Sequence, residues 1–319
     1  MDKYIGIIDL LRAGSRILIC SHYNPDGDGI GSMLAMGMLL ERIGKKVVLY
    51  CRDKVPVNLE FLPTSQRITN KLPQTDKFDL TLMLDCAQRK RISDDFAQFK
   101  GTGKVICIDH HLLEKPESDI DLIDSEAAST GEVVLRLARR AGYLVEKKIA
   151  QCIYTTLVVD TGFFKYSNTN EEIFSLASQL VRLGADPWTV AKYLEESHPL
   201  CRMVLLGFSL ASLHVEFKGK YATMDVTQKM LKESKAVMEL SDEFATYPRA
   251  IEGVEVSALF REYGDGRIKV SLRSKDTVDV AAIARSFGGG GHARAAGFQT
   301  KLSLKEAKEK LLSELKNII

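Results

Sequence analysis

Four short apolar runs constrain the fold more than any other feature: Arg16–Cys20 (RILIC), Lys45–Cys51 (KKVVLYC), Leu80–Cys86 (LTLMLDC) and Lys104–His111 (KVICIDHH). Their apolar residues are consecutive rather than alternating, the pattern of a strand buried on both faces. Between the first two lies Ile30–Gly44 (IGSMLAMGMLLERIG), which has helical spacing. Strand and helix patterns in alternation predict an α/β fold with a largely parallel sheet flanked by helices. Ser129 stands three residues before Glu132, which predicts a helix start at Ser129-Thr130-Gly131-Glu132. The pattern then stays mainly helical to about Gly184.

Farther along, the pattern changes in kind. Asp186-Pro187 reads as a cap and a first-turn proline, opening a helical stretch from Trp188 to about Leu213. Beyond it, HVEFKGKYATMDV and VSALFREYGDGRIKVSLRS read as hairpins that turn at Gly219 and at Gly264-Asp265-Gly266. A helix-like VDVAAIARSF, a glycine run and the amphipathic SLKEAKEKLLSELKNII complete a smaller α+β domain. The expected organisation is a catalytic domain over 1–187, a helical connector over 188–213 and a second domain over 214–319.

Composition removes several function classes. With 319 residues, 45% of them hydrophobic, the chain can fill two cores. Its 44 basic and 42 acidic residues leave a net charge of +2, so no global field draws it to a long duplex or an anionic membrane. Anion recognition must be local. The six cysteines include no CxxC pair and read as reduced thiols. Asp9 and Arg12 interrupt the first apolar stretch, and no apolar run has the length of a membrane span, so the expectation is a soluble, cytoplasmic protein.

In an open parallel sheet, ligands bind beyond the carboxyl ends of the strands. There RILIC runs into SHYNPDGDGIGS, which offers His22, Asp26 and Asp28. LTLML ends at Asp85, KVICI ends at Asp109-His110-His111, and Asp160 follows the apolar IYTTLVV. Carboxylates gathered at one sheet edge repel one another unless cations neutralise them, so the pattern calls for metal. Aspartates with imidazoles and no cysteine suit manganese, or magnesium, better than a structural zinc. Two such ions about 3.5 to 4 Å apart can share a carboxylate, generate a hydroxide and stabilise the attacking and leaving oxygens of phosphoryl transfer. The three glycines of SHYNPDGDGIGS are expected to give that loop a tight path.

The second domain carries Gly288-Gly289-Gly290-Gly291-His292-Ala293-Arg294-Ala295-Ala296-Gly297. Bare backbone can approach an anion closely, and successive amides can form a phosphate nest. Gly289, Gly290 and Gly291, with His292, Arg294 and Arg273, make a candidate phosphate grip.

His22-x-x-x-Asp26-x-Asp28, Asp85, Asp109-His110-His111 and Asp160, in that order, resemble the four motifs of the DHH phosphoesterases. GGGGHARAAG resembles the signature of their DHHA1 domain, and the two-domain length is similar to that of the NrnA-type oligoribonucleases, or nanoRNases. The resemblance implies an active site in the interdomain cleft. Its substrates would be short single-stranded RNA, dinucleotides and 3′-phosphoadenosine 5′-phosphate (pAp), giving mononucleotides from RNA and AMP plus phosphate from pAp. It implies two manganese ions, one held by His22, Asp26 and Asp85, the other by Asp28, Asp85, His110 and Asp160. His111 would face the scissile phosphate, and Asp109 would orient the neighbouring histidine. No membrane and no obligate protein partner are implied, and a homodimer is left open.

Related alternatives differ in substrate. GGGGHARAAG argues against a manganese pyrophosphatase, and a RecJ-type exonuclease normally carries further nucleic-acid-binding material. A cyclic or linear dinucleotide phosphodiesterase shares the motifs. A non-catalytic nucleotide sensor would keep the grip without the chemistry, and the complete set of candidate ligands argues instead for an enzyme.

Overall fold

Each apolar run of the first half is a strand, and its consecutive side chains divide between two cores. The computed structural model describes residues 3–74, 77–111, 116–316 and 318, apart from the side chain of His292. The chain forms two units, Met1–Ser197 and His198–Ile319.

The first unit runs α1 (Lys3–Ala13), β1 (Arg16–Cys20), α2 (Gly27–Arg42), β2 (Lys46–Tyr50), β3 (Leu80–Leu84), α3 (Arg89–Ile92) and α4 (Asp94–Gln98). It continues through β4 (Lys104–Asp109), β5 (Ile120–Ile123), α5 (Thr130–Ala141), α6 (Lys147–Asp160), α7 (Glu171–Arg182) and α8 (Pro187–Glu195). The strands pair in parallel in the order β2-β1-β3-β4-β5. Ile17, Ile19, Leu82, Leu84, Ile106 and Ile108 belong to one core, with residues of α1, α2, α5 and α6. The alternate residues Leu18, Cys20, Met83, Val105 and Cys107 belong to another, with Phe78, Ile92, Phe96 and Phe99. Both faces are covered, so neither needs polar residues. β5 escaped the sequence reading because IDLI is short, contains Asp121 and fully buries only Leu122.

The predicted tight turn in SHYNPDGDGIGS is corrected by the structure. Helix α2 begins at Gly27, three residues before the predicted Ile30, and Gly27, Gly29 and Gly31 all lie within it. Asp26 caps it, its Oδ1 accepting from the amides of Asp28 (3.1 Å) and Gly29 (3.0 Å). The glycines serve packing. A Cβ on Gly27 would fall 2.5 Å from Val159 Cγ2, and one on Gly31 would fall 2.8 Å from the Cys152 carbonyl oxygen, so the missing side chains let α2 lie against α6. The other predicted starts form with side-chain caps: Ser129 accepts from the Glu132 amide, and Asp186 from that of Trp188.

The stretch over 188–213 is two helices, not one connector. Helix α8 buries Val190 and Leu194 in the first unit, and α9 (Leu200–Ala211) buries Leu205 and Leu206 in the second. Pro199, extended at φ −66° and ψ 148°, separates them.

The second unit continues with β6 (His214–Glu216), β7 (Tyr221–Val226), α10 (Gln228–Ser234), a 3₁₀ segment over Met238–Ala245, and α11 (Thr246–Arg249). Then come β8 (Val256–Glu262), β9 (Ile268–Ser274), α12 (Val280–Ser286), β10 (Gly290–His292), β11 (Ala295–Thr300) and α13 (Leu304–Leu315). Its sheet has the order β10-β11-β9-β8-β7-β6, with β7 and β8 parallel and the other neighbours antiparallel. Both predicted hairpins are present, with positive φ at Gly219 and Gly266. Among the described residues, no helix is long and apolar enough to cross a membrane.

Candidate metal centre

Strands β1, β3 and β4 are neighbours, so the polar residues that follow them share one edge. The end of α6 brings Asp160 to the same place. Potential ligand atoms fall into three groups, each within 4.8 Å: His22, Asp26 and Asp85; Asp28, His110 and Asp160; Asp85, Asp109, His110 and His111. Thus the structure gathers every sequence-predicted site residue of the first unit.

The carboxylates are held individually. Asp28 is buried, its Oδ1 accepting from Ser32 Oγ (3.1 Å) and the Gly131 amide (3.0 Å), its Oδ2 from the Thr130 amide (2.7 Å). The start of α5 therefore fixes a residue more than a hundred positions earlier. Asp85 has φ +54°, a left-handed conformation at the end of β3, and lies 3.3 Å from both His22 Nε2 and His111 Nδ1. Asp109 Oδ1 accepts from the amides of His110 (2.7 Å) and His111 (3.0 Å), and from His111 Nδ1 (2.7 Å). Sequence reasoning missed Thr130, Gly131 and Ser32. Thr130 and Gly131 were read only as helix-start residues, and their second role depends on contact with α2.

The imidazoles are oriented through their other nitrogens. His22 Nδ1 lies 2.8 Å from the Tyr23 carbonyl oxygen, and His110 Nδ1 lies 3.3 Å from that of Ala127. Each Nδ1 then carries the proton, and each Nε2 offers a lone pair. His22 Nε2 faces Asp85 Oδ2 and lies 4.0 Å from Asp26 Oδ1. His110 Nε2 is buried, 3.0 Å from Asp160 Oδ2 and 3.7 Å from Asp28 Oδ2, yet it makes no well-aligned hydrogen bond. Nε2 atoms aimed among carboxylate oxygens call for positive charge between them, a proton in the metal-free protein or a divalent metal in its place, so these residues fit divalent metal.

The electrostatics agree with that requirement. Burial alone would lower the basicity of both histidines, yet the hydrogen bond and charge of Asp85 push His22 up to about 9. Asp160 and Asp28 likewise push His110 up to about 10. Burial, then the charges of Asp160 and Asp85, hold the Asp28 carboxyl well above the usual range. Burial and Asp85 also raise Asp160. Burial would raise Asp85 too, but the His22 hydrogen bond and the surrounding imidazoles hold it low.

The residues of the predicted phosphate grip lie in the second unit. Gly290 and Gly291 are in β10, an edge strand pairing with Gly297 and Ala296, and Gly289 packs closely on Gly297 and Phe298. Across the strands, Arg273 pairs with Ala295, which pairs with His292. The His292 side chain lies outside the described residues. Arg294 is exposed, and its Nη1 donates to the Val278 carbonyl (3.2 Å).

Comparison with known proteins agrees with this division. A model of the DHH family, N-terminal domain, matches residues 16–157, and a model of the DHHA1 domain matches residues 219–319. The chain is 31% identical over 317 residues to the bifunctional oligoribonuclease and PAP phosphatase NrnA of Thermus thermophilus, covering 99% of this chain and 94% of that protein. It is 27% identical to the Bacillus subtilis protein of the same name, over 88% of each chain. A solved structure of an exopolyphosphatase-related protein from Bacteroides fragilis matches with a TM-score of 0.92 and 30% identity, over 99% of this chain and 97% of that one. The chain belongs to the DHH family and carries a DHHA1 domain.

Proposed function

We propose that this protein hydrolyses the phosphoester bonds of short oligoribonucleotides, releasing mononucleotides, and that it converts pAp to AMP and phosphate. The observation that carries this reading is the gathering of Asp26, Asp28, Asp85 and Asp160 at one sheet edge, with His22 Nε2 and His110 Nε2 offered among them. The relatives named NrnA supply the substrate class.

His22, Asp26 and Asp85 would hold one divalent cation, and Asp28, Asp85, His110 and Asp160 the other, with Asp85 shared. Carboxylates with imidazoles suit manganese, and magnesium is the alternative. When bound, such ions supply an activated water and neutralise charge on the phosphate.

The chain's own residues do the rest. Asp109 accepts from His111 Nδ1 and so fixes the orientation of the ring. Burial would lower His111, but the hydrogen bond and charge of Asp109 and the charge of Asp85 raise it, which favours its role as a proton donor to a phosphoryl or leaving oxygen. Thr130 and Gly131 keep Asp28 fixed as charge develops. In the second unit, Arg273, Arg294, His292 and Gly289 to Gly291 would grip the nucleotide end. Five of the six cysteines are buried and all six are free, which suits a reducing cytoplasm.

A manganese-supported turnover panel of pAp, dinucleotides, longer RNA, cyclic dinucleotides and pyrophosphate tests the reading. Turnover of pAp and short RNA is expected. Asp85→Asn should lower it more than about 100-fold, beyond the usual cost of losing an outer partner of a metal site. A preference for pyrophosphate, or an active Asp85→Asn variant, would sink the reading.

A further inference from the structure

Helix α9 covers one face of the second unit's sheet and leaves its own outer face bare. Its Leu205 and Leu206 pack with Met224 and Val226 of β7. Arg202, the only charged residue of the helix, is turned inward, its Nε donating to the Leu240 carbonyl (3.1 Å) and its Nη2 to Glu243 Oε2 (2.8 Å). What faces water is apolar: Leu200 is 78% exposed, Met203 50%, Val204 39% and Leu210 40%. With the exposed Ala211 they form one stripe at helical spacing. The open face of a helix normally carries polar and charged residues, and a contiguous apolar patch in their place marks an interaction surface.

The stripe continues onto β6. Val215 pairs with Ala222, on the face of β7 that also presents Met224 and Val226, so its half-exposed side chain stands on the α9 side of the sheet. β6 is the end strand of that sheet. Just ahead of it, Ser212 Oγ accepts from the Asp225 amide (2.9 Å). Backbone groups alternate in direction along a strand, so Thr223 and Tyr221 also face β6 and bond to His214 and Glu216. The amide and carbonyl of Val215 therefore point away from the sheet, along its edge. Such an edge is a template for another strand, and β6 has neither the lysine nor the proline that commonly blocks one.

This edge is complementary to itself. When two β6 strands pair antiparallel about Val215, the two Val215 residues exchange amide-to-carbonyl bonds, and His214 stands opposite Glu216 of the second copy. An imidazole meets a carboxylate at both ends, whereas a parallel pairing in register sets like beside like. His214 Nε2 lies 3.3 Å from Glu216 Oε1 within the chain, so both side chains already share the face opposite Val215.

We propose that two copies of this chain associate through β6 and the outer face of α9. A two-fold axis at Val215 joins their second-unit sheets edge to edge, and Met203, Val204 and Leu210 are covered by the second copy.

Light scattering on the full chain over a dilution series tests the interface. The wild type is expected at twice the mass of one chain when concentrated, falling toward the single mass on dilution. Val204→Glu combined with Leu210→Glu should raise the dissociation constant more than about 100-fold, since it sets like charges against one another across the axis. His214→Glu alone places carboxylates opposite each other at both ends of β6 and should weaken the dimer about 10-fold, and adding Glu216→Lys should restore it. Circular dichroism of every variant should match the wild type, and recovery by the second substitution separates a lost contact from a lost fold. A wild type that stays monomeric at every concentration, a dimer indifferent to the two glutamates on α9, or a charge exchange that brings no recovery overturns the proposal.

Discussion

Asp85 shows how much one residue carries. Its φ of +54° is tolerated by aspartate better than by most side chains, and it lets β3 end while the carboxylate turns among His22, His111 and Thr130 Oγ1. These pairings give the metal-free protein a signed pH dependence. His22 and His110 are raised to about 9 and about 10, so their stabilisation is complete below the ordinary imidazole value of about 6.5 and is lost as pH rises through the folded values. Asp85, held low, acts oppositely: its contribution is present above the usual carboxylate value and disappears as pH falls through the folded one. With chelator present, the melting temperature by circular dichroism is expected to fall between about pH 7 and pH 10. A constant melting temperature across that window would refute the imidazole–carboxylate pairing. The identities of these residues were legible in the sequence, because each stands at the end of an apolar run. Their tautomers were not, since those depend on the carbonyls of Tyr23 and Ala127.

Among the elements, α2 separates what periodicity predicts from what packing imposes. Its helix was legible from Ile30 onward, where apolar spacing is clear, but the three preceding residues looked like a turn. Tertiary contacts require their glycines to be small, Gly27 against Val159 of α6 and Gly29 against Ser21. Gly31→Ala would gain about 1 kcal/mol in helix propensity and lose about 1 to 3 kcal/mol to overpacking, because the atoms it meets include the Cys152 backbone. A net loss of about 1 to 2 kcal/mol is expected in urea unfolding. Gly207, in α9, has nothing within 4 Å of a built Cβ, so Gly207→Ala should instead gain about 0.5 to 1 kcal/mol. Equal shifts in the two variants would show that propensity alone governs both sites.

For the whole molecule, the candidate metal ligands all belong to the unit Met1–Ser197. Manganese at a hundredfold excess over its Kd should stabilise that unit against unfolding by about 2.7 kcal/mol, measured by calorimetry. Hydrogen exchange should slow at the starts of α2 and α5 and at the ends of β3 and β4. If manganese left these segments unchanged, the assigned ligands would be wrong. The sequence by itself determined the strand runs, the α/β class, the helix caps and the order of the chemical groups, because periodicity and capping act over a few residues. Only the tertiary structure decided which of those groups meet. The adjacency of β1, β3 and β4, the amides of Thr130 and Gly131 on Asp28, and the glycine-permitted approach of α2 to α6 all join residues distant in the chain. Local patterns do not encode such contacts; they form when both faces of the sheet are buried.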